Sequence, residues 1–157
     1  MVHVTHGIGR FLGTEWIETE GVPREFLVIE YRNGVKLFVP AQKAGAIAEK
    51  AGLTNDKGWC PIDPATMQSK VDGNIHVVGD ASIASAMPKS GFAANSQAKS
   101  AAMAVRAALI DAKAFPARYA NTCWSLIAAN DGVKVGAHYK AGADKIEATD
   151  KFISKTG

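Results

Sequence analysis

The stretch that decides the N-terminal fold reads FLVIEYRNGVKLFV and runs from Phe26 to Val39. Two apolar runs, rich in β-branched and aromatic residues, flank the pair Asn33–Gly34, whose residue types tolerate positive φ. Apolar runs on both sides of such a pair are typical of a β-hairpin with a two-residue type I′ turn. The stretch therefore predicts two antiparallel strands, Phe26–Tyr31 and Val35–Val39, joined by a tight turn.

Shorter apolar or alternating runs precede this hairpin. They are Val2–Val4, Phe11–Leu12 and Glu15–Ile17, separated by turn signals at Gly7–Gly9, Gly13 and Glu20–Pro23. Several short strands spaced this closely are typical of a small antiparallel barrel or a curled sheet. We therefore predict that the first 40 residues form such an all-β piece.

The composition is ordinary for a globular protein, with 47% hydrophobic and 21% charged residues and a net charge of +3. A charge this mild, without a single-sign run, gives no reason to expect nucleic acid or a membrane as a partner. The longest weakly polar stretch, Ala101–Ala112, is too short to span a bilayer and contains Arg106 and Asp111. No signal peptide is recognisable, so the chain as written is expected in the cytoplasm.

Metal binding is not expected from the spacing of the candidate ligands. Cys60 and Cys123 are far apart and form no CxxC motif, and the four histidines show no ligand spacing relative to them. We expect His76 in or beside a strand, and His3 and His6 as polar residues of strands and turns.

From Ala41 onward the pattern changes to helices, loops and strands. Ala41–Ala51 has helical spacing with Gly52 as its stop, and Phe92–Ala112 is predicted as one long alanine-rich helix. A final antiparallel meander is predicted from three runs: Cys123–Ile127, Val133–Tyr139 and Lys145–Ala148. This mixture predicts an α+β or incomplete α/β piece.

The sharpest chemical signal is IHVVGDA, residues Ile75–Ala81. We predict a buried strand that delivers Asp80 to the carboxyl end of a sheet, where open α/β folds bind ligands. Gly79 would let a ligand approach the backbone, and Asp80 would accept hydrogen bonds from sugar or ribityl hydroxyls. The helix start near Gly91–Ala93 offers N–H groups that suit the flavin edge that becomes anionic on reduction. The alternative is that Gly79–Asp80 is an ordinary strand-to-turn junction.

Six strings in this part of the chain occur in the order of a known family. They are AQKAG (41–45), AGLTND (51–56), GWCPID (58–63), HVVGDA (76–81), MPKSGFAANSQAK (87–99) and NTCWSL (121–126). Together they resemble the flavoprotein subunit of flavocytochrome c sulfide dehydrogenase over residues 41–150. The string at 87–99, together with the loop Trp59–Pro61, is specific to this family among glutathione-reductase-like flavoproteins.

This resemblance implies FAD as cofactor, a cytochrome c subunit as partner and a periplasmic location. The residues implied to contact the cofactor are Gly79, Asp80, Lys89, Ser90, Gly91 and Phe92. Cys60 would be the catalytic residue, one half of a redox-active pair that takes up sulfide sulfur beside the flavin. The alternative for Cys60 is a small core thiol, and Cys123 is interpreted as structural.

A dinucleotide-binding GxGxxG motif is expected where an FAD domain begins. The glycines of Gly7–Gly13 miss that spacing, and no other segment supplies it. We therefore expect a flavin-binding fragment with sulfide:cytochrome c oxidoreductase ancestry that binds FAD weakly or not at all and lacks full activity.

The N-terminal stretch has a resemblance of its own. Its strings are VHVTHGIGRFLG (2–13), GVPREFLVIEY (21–31) and KLFVP (36–40). They resemble the RNA-polymerase-interacting domain of the bacterial transcription-repair coupling factor, which implies a Tudor/SH3-like barrel that docks on the polymerase β subunit by strand-edge addition. The matching strand is Glu25–Tyr31, with Leu27 and Ile29 as candidate contacts. The alternative, that both side chains face the interior, stays open.

The sequence thus predicts two domains, at residues 1–40 and 41–157, joined as a chimera. The first expectation is a flavin-binding fragment, the alternative is a module that binds the polymerase β subunit, and a third option is a fused protein with neither activity. The helix Phe92–Ala112 would leave an apolar patch exposed, which homo-oligomerisation would cover.

Overall fold

In the computed structural model the chain forms two compact units, Met1–Lys43 and Ala44–Gly157. The structure describes residues 2–3, 7–40, 44–128 and 130–154. His6 and residues 41–43, where the second predicted domain begins, lie outside the described residues.

The first unit is one antiparallel sheet in the strand order β1-β2-β3-β4. The strands are β1 (Val2–His3), β2 (Gly7–Thr19), β3 (Val22–Tyr31) and β4 (Lys36–Pro40). The predicted antiparallel β architecture is confirmed. The predicted closed barrel is not, because no pairing among the described residues joins β1 to β4 and the sheet is open.

Strand β2 is continuous across glycines that were predicted as turns. Gly13 has φ +143° and lies at a register shift that follows Phe11, so it forms a β-bulge that bends the strand without ending it. Gly9 pairs with Tyr31, and a Cβ there would lie 2.4 Å from Ile29 Cγ2. These glycines allow a bend and a close side-chain approach within one strand.

The two-residue type I′ turn occurs in the β2–β3 hairpin and not at the predicted site. Glu20 and Gly21 both have positive φ, and the flanking residues pair directly, which is the two-residue type I′ geometry. At the predicted type I′ site only Gly34 has positive φ. The Gly34 N–H donates to the Tyr31 carbonyl at 2.8 Å and the Tyr31 N–H donates to the Val35 carbonyl at 2.9 Å. This is a type I turn with a glycine bulge, so the prediction of a two-residue turn is wrong.

The second unit combines one long helix with an antiparallel meander. The helices are α1 (Ala46–Lys50) and α2 (Gly91–Leu109), and the strands are β5 (Arg118–Ala128), β6 (Asp131–Ala141) and β7 (Ile146–Ile153). The sheet order is β5-β6-β7, all antiparallel. The predicted helix and meander are confirmed, whereas both named sheets are antiparallel and no α/β sheet forms among the described residues.

The helix boundaries follow local chemistry. Ser90 caps α2 because its hydroxyl accepts from the Ala93 N–H at 3.1 Å. The helix ends three residues before the predicted Ala112, and Asp111 just beyond it has φ +49°. Helix α1 is shorter than predicted, and Gly52 follows it with φ +68°, as expected for a stop residue.

The segment between the two helices contains the main fold-level error. Ile75–Val78 was predicted as a buried strand of a sheet, but only His76 forms an isolated antiparallel bridge, to Gln68. The Ser69 N–H donates to the Ile75 carbonyl at 2.8 Å and the Val77 N–H donates to the Met67 carbonyl at 2.9 Å. The run is therefore one arm of a short loop. Of its apolar side chains, Val77 packs against the core of the unit, where Met67 is fully buried.

Candidate functional sites

The Gly79–Ala81 segment forms a short 3-10 turn that rests on helix α2. The Gly79 N–H donates to Gln97 Oε1 at 2.7 Å. Gly79 has φ +77°, and a Cβ there would lie 3.3 Å from the Ala94 Cβ. Glycine is needed here for the left-handed backbone and for close approach of the helix. The predicted neighbourhood of Gly79–Asp80 and the start of the helix is therefore present, although no sheet edge supplies it.

Lys89 forms hydrogen bonds to the other side of this turn. Its ammonium donates to the Asp80 carbonyl and to the Ser82 carbonyl, the latter at 3.5 Å. The same Nζ lies 3.6 Å from the centroid of the Trp59 ring, which is a cation–π contact. Burial lowers the pKa of Lys89, and the charges of Asp80 and Cys60 oppose that shift.

A cavity of about 200 Å³ lies beside this lysine. Its walls come from the Trp59 loop, the residues after the 3-10 turn and helix α2: Trp59, Gly79, Ser82, Ile83, Ala84, Ser85, Met87, Pro88, Lys89 and Gln97. The lining is mostly apolar, and its polar side chains are the Lys89 ammonium, the Gln97 amide and two serine hydroxyls. Such a wall suits the edge of an aromatic ring system.

Cys60 lies in the same region but is fully buried. Its N–H donates to the Ala81 carbonyl and its carbonyl accepts from the Ile83 N–H, each at 2.9 Å. Burial raises the pKa of the Cys60 thiol, and the nearby Lys89 charge offsets part of that rise. The thiol is therefore protonated at neutral pH, which does not favour nucleophilic attack.

The residues at the start of α2 divide into two kinds. The Ser90 hydroxyl is engaged within the protein, because it caps the helix and donates to Asn121 Oδ1 at 2.5 Å. Gly91 and Phe92 are exposed, and 45% of Phe92 is open to solvent. Only the exposed pair is positioned to meet a ligand at the helix terminus.

Gln97 is a buried polar residue of this region that the sequence motifs did not single out as a site residue. It is only 2% exposed, and its Nε2 donates to Met87 Sδ at 3.7 Å while its Oε1 holds the Gly79 N–H. It lies between Ala93 and Ala101 at four-residue spacing, so all three share the buried helix face. A glutamine at helical spacing between two alanines of the buried face is the sequence feature that could have predicted this buried polar contact.

The other predicted features lie apart from this region. His76 Nδ1 is 2.9 Å from the Thr66 carbonyl, and His138 Nδ1 is 3.0 Å from the Asp150 carboxylate on the surface of the meander. Within the described ranges, no group of three or more His, Cys, Asp or Glu residues could hold a metal ion. Neither helix in the described part of the chain is long and apolar enough to cross a membrane.

In the first unit the predicted partner strand is not an edge. Strand β3 is central: Phe26–Glu30 pairs with β4 on one side and with β2 on the other. The prediction that Glu25–Tyr31 offers its edge to a partner is therefore wrong. Ile29 is buried, 7% exposed, whereas Leu27 is half-buried. The sheet instead leaves strand edges at β2 and β4 among the described residues.

Two family models match the chain, one near each end. The model for the CarD-like/TRCF RID domain matches residues 1–49, and the model for flavocytochrome c sulphide dehydrogenase, flavin-binding, matches residues 115–157. The two resemblances drawn from the motifs are therefore confirmed, each over part of the chain. The second match covers the β5–β7 meander and not the Gly79–Phe92 region, so the residue roles implied there stay predictions.

Curated relatives match the N-terminal part. The transcription-repair-coupling factor of Bacillus subtilis (strain 168) is 36% identical over 52 residues, 33% of this chain and 4% of the relative. The factor of Escherichia coli (strain K12) is 38% identical over 52 residues, also 33% of this chain and 4% of the relative. That of Buchnera aphidicola is 40% identical over 54 residues, 34% and 7%. The chain therefore spans less than a tenth of the length of these relatives.

Proposed function

We propose that the N-terminal unit binds the β subunit of a bacterial RNA polymerase by accepting a strand on the outer edge of β2. The observation that carries this proposal is that β2 pairs with β3 on one side, while no described strand pairs with its other side from Arg10 to Thr19. Strand addition needs such an edge, because the main-chain N–H and C=O groups of the edge supply the affinity.

The two edges of this sheet differ in how well they suit strand addition. Strand β4 has five residues and is bounded by Lys36 and Pro40. Lysine and proline are residue types that blunt edges against pairing. Strand β2 has its bulge at Gly13, which leaves Thr14–Thr19 as the regular segment. We therefore assign the docking edge to Thr14–Thr19.

Trp16 is the proposed anchor on this edge. It is 66% exposed, and tryptophan is among the residue types most enriched at binding hot spots. Trp16 pairs with Glu25 and Thr14 pairs with Leu27, so Trp16 and Leu27 share one face of the sheet. Leu27 is thus a proposed contact beside the anchor. Buried Ile29 would influence binding only through the fold.

The experiment compares two single variants of the whole chain in a titration with purified polymerase β subunit. Trp16→Ala is expected to weaken binding about tenfold or more, because loss of a hot-spot side chain costs roughly 2 kcal/mol. Phe38→Ala is the matched control, since Phe38 is an exposed aromatic residue on the opposite face and is expected to change affinity less than about twofold. Equal affinity for Trp16→Ala and the unmodified chain would contradict the proposal.

A second candidate function, contact with a flavin, is favoured by the fastened Gly79–Ala81 turn and the cavity beside Lys89. The fit is partial. A cavity of about 200 Å³ is smaller than the roughly 300–1,000 Å³ of small-molecule sites and matches only part of a flavin. Trp59 and Lys89 would line the ring, the exposed helix start at Gly91 and Phe92 would face its polar edge, and Asp80 would meet ribityl hydroxyls. A bound flavin would supply a two-electron acceptor.

The role proposed for Cys60 in this candidate is to carry sulfide sulfur as a persulfide: a new S–S bond would join its thiolate to HS⁻, while the two electrons and the proton released would pass to the bound flavin. Because burial raises the pKa of Cys60, the residue would act only after deprotonation, with Lys89 as the nearby positive charge. Reconstitution with excess FAD tests the site. The Lys89→Met variant is expected to reduce any bound flavin absorbance, and an undiminished flavin band in that variant would argue against this placement.

A further inference from the structure

An apolar groove in the second unit lies apart from the Trp59–Lys89 cavity and shares none of its lining residues. It runs between α2 and the segment that enters β5. Ser100, Met103 and Ala104 line one wall, and Phe115 and Arg118 contribute to the other. We propose that this groove docks an acidic peptide segment of a partner protein, which inserts one bulky apolar side chain.

The size of the groove suits a single bulky side chain. Its volume is about 180 Å³, below the roughly 300–1,000 Å³ of small-molecule sites. Single anchors in pockets of this kind carry much of the affinity of protein interfaces.

The exposure of its walls favours an occupant. Of the lining residues, Met103 is 50% exposed and Phe115 is 68% exposed. Clustered large apolar side chains of this kind mark interaction surfaces, whereas single exposed ones do not.

The charge around the groove selects the chemistry of the partner. Lys99 and Arg106 lie four residues before and three residues after Met103, so they flank it on the helix surface. Arg118 lines the opposite wall, and none of the acidic side chains that the structure describes lines the groove. The nearby Asp63 carboxylate is engaged with the Ala65 and Thr66 N–H groups, both at 2.9 Å.

The same charges disfavour a second copy of this chain as the occupant. Two copies meeting groove to groove would bring three cations of each copy toward those of the other, and such like-charge contacts oppose association. An acidic segment meets the opposite condition, because its carboxylates would lie against Lys99, Arg106 and Arg118 while its apolar anchor enters between them.

The test uses the full chain and a fluorescent helical peptide of about 15 residues. The peptide carries one phenylalanine flanked by glutamates on the same helix face. Two matched peptides replace either the glutamates by lysines or the phenylalanine by alanine. The acidic phenylalanine peptide is expected to bind at least about tenfold more tightly than either relative.

Variants locate the binding on the groove. Met103→Gln is expected to weaken binding about tenfold, whereas Val105→Gln, on the opposite side of the helix, is the matched control and leaves binding unchanged. Arg106→Glu is expected to weaken binding roughly threefold or more, with Lys151→Glu on β7 as the charge-matched control.

Three results would overturn the proposal. The first is that the acidic and basic peptides bind equally well or that no peptide binds. The second is that Met103→Gln and Val105→Gln have equal effects. The third is that something else occupies the groove. The last would be seen as self-association that Met103→Gln abolishes, or as binding to anionic phospholipid vesicles in place of the peptide.

Discussion

The two antiparallel sheets differ in what lies against their edge strands β5 and β2. In the second unit, helix α2 covers β5: the Ala120 N–H donates to Ser96 Oγ at 2.9 Å and Ser100 Oγ donates to the Arg118 carbonyl at 3.3 Å. In the first unit, β2 has no described strand on its outer side along Arg10–Thr19. Helix α2 therefore occupies the Arg118–Ala120 end of the β5 edge, whereas the β2 edge has no described neighbour from Arg10 to Thr19 and can accept a strand.

The largest expected effect concerns the tightest glycine in each sheet. A Cβ at Gly136 would lie 2.4 Å from the Asn121 backbone oxygen and from Phe152 Cζ, whereas a Cβ at Gly9 would meet the side chains of Ile29 and Tyr31 at 2.4 and 2.8 Å. Backbone atoms can move away from an added methyl group less easily than side-chain atoms can. We expect Gly136→Ala to destabilise its unit by about 3 kcal/mol and Gly9→Ala by about 1–2 kcal/mol.

Chemical unfolding followed by tryptophan fluorescence measures this difference. Trp16 reports on the first unit, and Trp59 and Trp124 report on the second. A larger loss of stability in Gly9→Ala than in Gly136→Ala would show that the second sheet is the more adaptable one and would contradict this expectation.

The next effect tests how the meander is tied to the central loop. The Tyr119 hydroxyl donates to the Pro64 carbonyl at 2.5 Å, and burial, helped by the Asp63 charge, raises its pKa to about 12. The unfolded pKa is near 10, so the folded state keeps its proton longer. This contribution is complete below about pH 10 and is lost as the pH rises toward 12.

Tyr119→Phe is therefore expected to lower stability by about 1 kcal/mol at neutral pH. It should also flatten the fall in stability between about pH 10 and 12. Parallel denaturant titrations of both proteins across that range measure the difference. Identical slopes would mean that Tyr119 is not buried against the loop.

A smaller loss of stability is expected when a hydrogen bond between α2 and β5 is removed. Ser96→Ala leaves the Ala120 N–H without its helix partner and should cost about 1 kcal/mol. Ser125→Ala, at an exposed position of the same strand, is the control and should be nearly neutral. Faster amide exchange at Ala120 in the Ser96 variant alone would confirm the cover, and unchanged exchange there would refute it.

The smallest effects belong to the surface pairs that bridge neighbouring strands. Arg10 and Glu30 are 3.4 Å apart in the first sheet, and His138 and Asp150 are 3.0 Å apart in the second. The hydrogen bond from His138 lowers the pKa of Asp150, so that contribution is present above the ordinary carboxyl pKa and is lost as pH falls through the lowered one. In His138→Gln, an NMR titration should find the Asp150 pKa closer to its ordinary value, with little change in stability.

The sequence predicts the elements whose signals are local. The hairpin Phe26–Val39 and the alanine-rich run from Phe92 carry their periodicity and turn residues within one short window, and both elements form. The run Ile75–Val78 carries the same kind of β-branched signal, but no neighbouring strand is available to extend its single bridge. Strand propensity alone does not supply a partner.

The candidate sites were predictable only in part for a related reason. Gly79, Asp80 and Lys89 come together because the chain turns back onto α2, and motif order reflects that proximity. The contribution of Gln97 depends on burial, which a single sequence does not state. Likewise, alternation along β3 could not reveal that this strand is central, because neighbours on both sides are set by the whole sheet.

Amide hydrogen exchange of the full chain, with and without the polymerase β subunit, tests the central claim most directly. Strand addition on β2 predicts slowed exchange at alternate amides of Thr14–Thr19 in the complex, with the amides of Lys36–Pro40 unchanged. Protection confined to Lys36–Pro40, or a complex that leaves the Thr14–Thr19 amides as fast as in the free chain, would contradict the account.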